Sequence, residues 1–90
     1  MMEGLEHLTK QSREVLFTFL NVEADIGKTL ALLAKTHWDK GNTEHYEMSK
    51  RNAIKALETI DSFLERLTSD AKAQIEARRS ELAQMISTLP

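Results

Sequence analysis

Trp38-Asp39-Lys40-Gly41-Asn42-Thr43-Glu44 settles the architecture of this chain. Apolar residues recur at helical spacing up to Trp38 and then give way to turn formers. Gly41 suits a left-handed position at a helix end. Asn42 or Thr43 suits the cap of a following helix, with Glu44 against its dipole. One long helix therefore ends here, another begins, and the chain folds back on itself as an antiparallel hairpin.

On the N-terminal side two apolar rows run along the first helix, predicted over about residues 4–40. One row is Leu5, Leu8, Val15, Phe19, Ile26, Leu30, Leu33 and Trp38. The other is Leu16, Leu20, Ala24, Gly27, Ala31 and Ala34. On the C-terminal side Tyr46, Ser49, Ala53, Ala56, Ile60, Phe63 and Leu67 mark a second helix over 43–67. Thr68-Ser69-Asp70 then reads as a capping segment for a third helix over 70–88, which carries Ile75, Leu82, Met85 and Ile86. Without that break, a single helix to Thr88 would run about 69 Å and require an intertwined oligomer.

In such a hairpin, facing residues have numbers summing to about 83 across the first turn and about 138 across the second. Gly27 then lies opposite Ala56, and Ala34 opposite Ser49. Small residues facing small residues permit close approach of the axes. The expected fold is all-α, one domain over 1–90, an antiparallel three-helix bundle with a long first helix. The alternative is a two-helix hairpin that dimerises into a four-helix bundle.

Composition supports a folded helical chain: 41% of the 90 residues are hydrophobic and 29% charged, with three glycines and one proline. Cysteine is absent, which rules out a disulfide framework and thiolate chemistry. The net charge of −2, with both signs interspersed, lacks the basic excess of a nucleic-acid footprint. The acidic start, Met1 to Glu6, lacks the basic and apolar regions of a signal peptide. The longest apolar cluster, Leu30 to Ala34, is far below the roughly 20 residues of a membrane span. A cytoplasmic protein with neither nucleic acid nor membrane as partner is expected.

Candidate chemistry gathers at the first turn. His37 and His45 flank it, with Asp39, Glu44 and Glu47 nearby. A structural zinc site needs four fixed ligands, and no His-Glu-x-x-His or Glu-x-x-His pair is present, so no metal is expected. His37-Trp38-Asp39-Lys40-Gly41 resembles the histidine phosphotransfer domains, small helical bundles whose phosphorylated His is followed by Lys three on and Gly four on. The resemblance implies phosphoryl transfer through His37, with Lys40 supporting charge and Gly41 clearing space for a response regulator. It departs from the family at Asp39, where leucine is usual, and in placing the motif at a helix end. Residues 30–57 also resemble one tetratricopeptide hairpin, but no second copy follows and the likeness implies no function. Ser12, Thr18, Ser49 and Ser62 lack a base and an orienting group. Neither catalysis nor a cofactor is expected.

Between Val15 and Val22, six of eight residues are apolar, more than two neighbouring helices normally cover. The expected function is therefore a non-catalytic protein–protein interaction or assembly module acting through helix–helix contacts. Its partner is another copy of itself or another helical protein, and its expected surface is Leu5, Leu8, Phe17, Val22 and Leu32. Histidine phosphotransfer through His37 is the alternative. Glu23 and Arg78, each inside an apolar arc at one level of the bundle, are expected to meet as a structural ion pair.

Overall fold

A computed structural model describes residues 2–90, with side chains from Ser12 onward. Three α-helices follow in order: α1 (Met2–Asp39), α2 (Thr43–Phe63) and α3 (Ser69–Ser87). There is no strand among the described residues. At about 1.5 Å per residue α1 is about 57 Å long and α2 about 32 Å, so α1 overruns its hairpin partner. The described chain is a rod of 59 × 19 × 15 Å. No described helix is long and apolar enough to cross a membrane.

The first turn forms as its residue types dictate. Gly41 takes φ +75, and the Asn42 side chain caps α2 by accepting from the His45 backbone N–H at 3.2 Å. The second turn begins earlier, and is longer, than the spacing predicts. α2 ends at Phe63, and Leu64–Arg66 form a 3₁₀ turn. Leu67 is extended (φ −84, ψ 156) and drops its side chain into the core. No glycine enforces this bend. Leu67 is buried within it, reaching the core from this extended position. Thr68 caps α3 without a side-chain hydrogen bond, its carbonyl accepting from the Lys72 N–H at 2.8 Å.

The core is built from Leu20, Ala24, Ala56, Ile60, Leu67, Ile75 and Leu82. Small residues set the spacing of α1 and α2: Ala24, Ala31 and Ala34 are buried on one, Ser49, Ala53 and Ala56 on the other. Gly27 lies where the three helices meet. A methyl group there would come within 2.6 Å of a Leu82 side-chain carbon and 3.2 Å of the Ala56 Cβ. Gly27 thus faces Ala56 as the hairpin register requires. The rim between α2 and α3 is tied by Arg79, whose Nε and Nη2 donate to Asp61 at 2.7 and 3.1 Å. Lys28 pairs with Glu81 between α1 and α3 at 2.8 Å.

The expected Glu23–Arg78 pair does not form. Arg78 Nη1 donates to Asn21 Oδ1 at 2.6 Å, and Nη2 donates to Asp25. Glu23 has no ion pair among the described residues and is half-buried. The level is right and the side is wrong. α3 runs parallel to α1 over its Asn21, Asp25 and Lys28 side. Glu23, two residues beyond Asn21, is turned about 200° away.

Candidate functional site

The inner row of α1 is consumed by the bundle, and the outer row is not. Val15, Phe19, Val22, Ile26 and Leu33 are all exposed, at 62, 41, 47, 45 and 42%. With Thr29 they are spaced four, three, four, three and four residues apart, the alternation of a coiled-coil seam. Taken at about 100° per residue they share one stripe of α1 no more than about 80° wide. α2 and α3 cover other parts of the helix, so this stripe is a contiguous apolar face rather than scattered exposed side chains.

Aromatic contacts fix one end of the stripe. Phe19 meets Phe63 of α2 edge to face, with centroids 6.4 Å apart, and the Arg66 guanidinium lies 5.0 Å from the Phe63 ring. Val15, Leu16, Phe19 and Phe63 floor an open groove of about 460 Å³, with Arg13 and Arg66 on its rim. Further along, Met48 of α2 is exposed.

Of the residues expected to form the surface, Val22 lies on the stripe. Leu32 is exposed but sits off it, in a cleft with Lys35, Met85 and Leu89 between α1 and α3. Phe17 is corrected: it is half-buried and packs against the core on the α3 side. The side chains of Leu5 and Leu8 lie outside those described. Val15, Phe19, Ile26 and Leu33 belong to one apolar row of the sequence but not to the surface expected from it. The signal that separates them from the inner row is side-chain size: the inner row is rich in Ala and Gly and so belongs to the close interface.

The far end of the hairpin holds the chemistry-bearing side chains. His37 and His45 lie edge to face with centroids 5.2 Å apart, and Trp38 and Tyr46 lie 5.0 Å apart. Tyr46 is buried, and its hydroxyl donates to the Pro90 carbonyl, which also accepts from Lys50 Nζ at 3.3 Å. No cluster of three His, Asp or Glu that could hold a metal exists among the described residues. His37 is in the last turn of α1, whereas Lys40 and Gly41 lie beyond it in the turn. The three residues of the phosphotransfer motif therefore do not share a helical face. No protein-family model matches the chain, nor does any curated protein or solved structure.

Proposed function

We propose that this protein is a non-catalytic assembly module of the cytoplasm, which docks a helix of its partner onto the exposed stripe of α1. The observation that carries the reading is that Val15, Phe19, Val22, Ile26 and Leu33 remain open at coiled-coil spacing in a fully folded bundle. Burying one Val, Leu, Ile or Phe side chain is worth about 1.5–3 kcal/mol when complete. Half that gain at five positions amounts to several kcal/mol, enough to drive association once docking costs are met. Cytoplasmic residence is supported by the absence of cysteine.

Site-specific photo-crosslinking in the cell that expresses the protein tests this. A photoreactive residue at Ile26 should trap a polypeptide adduct, and one at exposed Glu58 of α2 should trap none. Equal yields at both positions, or no adduct at Ile26, would overturn the reading.

A further inference from the structure

We infer that the occupant of the α1 stripe is a second copy of this chain, packed antiparallel about a two-fold axis near Ala24. The inference rests on the docking reading above and adds the identity and direction of the partner.

The stripe is complementary to itself in that direction. Reversed about residue 24, Val15 meets Leu33, Phe19 meets Thr29, and Val22 meets Ile26. Each layer combines a larger side chain with a smaller one, so the layers are of similar volume. A parallel pair would instead stack Phe19 on Phe19 and Thr29 on Thr29, producing a bulge and a void one heptad and a half apart. Packing at native density favours the arrangement that alternates large and small.

Charge is the competing consideration. The antiparallel axis brings Glu23 beside its own copy, and Asp25 beside its own copy on the other flank. Asp25 is already neutralised by Arg78. Glu23 lies on the flank nearer α2, where Lys55 is exposed and takes no ion pair among the described residues. The same two-fold sets α2 of one copy beside α2 of the other. Using the hairpin register, Lys55 of each copy then falls within about a turn of the other copy's Glu23. The half-buried Glu23 thus gains a counter-charge that the single chain does not offer it. Like-charge repulsion between exposed groups is small and screened, whereas mismatched layers cannot be relieved by solvent. Packing therefore sets the direction.

The chain has no cysteine of its own, so engineered cysteines report without background. Val15→Cys and Leu33→Cys are prepared as separate full-length proteins and oxidised alone and mixed. The expected result is a disulfide-linked dimer from the mixture and only monomer from either alone. Cross-linking of each variant with itself overturns the antiparallel direction. Light scattering on the unaltered protein at about 100 µM should give twice the 10.3 kDa chain mass, and Val22→Glu should return it to one chain with its helical circular dichroism intact. A single-chain mass for the unaltered protein overturns the second copy as occupant. The docking reading would then be decided by the Ile26 adduct alone, which would carry the mass of a different protein.

Discussion

Gly27 shows how one missing methyl group fixes the distance between helices. Alanine is the better helix former by about 1 kcal/mol, yet its Cβ would press on Leu82 and on the Ala56 Cβ, both held in the core. Overpacking typically costs about 1–3 kcal/mol. Gly27→Ala should therefore lower stability by about 1 kcal/mol in urea unfolding, and a gain would show that α1 and α2 can part freely. Arg78 offers a second test. Its carboxylate partner Asp25 is well exposed at 66%, so its pairing is a surface interaction. A double-mutant cycle should give about 0.5 kcal/mol of coupling for Asp25 with Arg78 and essentially none for Glu23 with Arg78. At the hairpin end, no third His, Asp or Glu among the described residues joins the His37–His45 pair as a metal ligand, and calorimetry should find no stoichiometric zinc site tighter than about 1 µM. Incubation with a small phosphodonor should leave His37 unlabelled. Rapid labelling would restore phosphotransfer as the function.

The two turns were not equally legible in the sequence, for a physical reason. The first is written in local chemistry: Gly41 adopts the positive φ that only glycine takes cheaply, and Asn42 supplies the cap. The second begins α3 where Thr68-Ser69-Asp70 suggested, but α2 already ends at Phe63, where no glycine, proline or capping residue marks the place. Local spacing reads Leu67 as one more helical position. Leu67→Ala should cost about 2–3 kcal/mol, as a buried leucine in a bend. Gly41→Ala should cost about 1 kcal/mol through its backbone alone. Denaturant midpoints check both. The two rows of α1 were legible as rows, but which one faced inward depended on α2. Its own small residues, Ser49, Ala53 and Ala56, accept only the Ala and Gly row at close range.

A chain of this length packed as a sphere would have a radius of gyration of about 12 Å, and this one has 16.0 Å. So thin a rod leaves a large share of its apolar surface near solvent, which is why one helix carries both a buried row and an exposed apolar row. The proposed pairing through α1 would link folding to association. The thermal midpoint of the unaltered protein should rise with concentration, and that of Val22→Glu should stay constant. An unchanging midpoint in both would place the stripe outside any self-assembly. The closed end of the rod has a use of its own. Trp38 and Tyr46 are the only tryptophan and the only tyrosine, and their rings lie 5.0 Å apart across the first turn. Light absorbed by the tyrosine is handed to the tryptophan while the hairpin is shut, and a larger share is re-emitted by the tyrosine itself once the helices separate. The molecule thus carries an optical gauge of its own opening, readable without any attached dye.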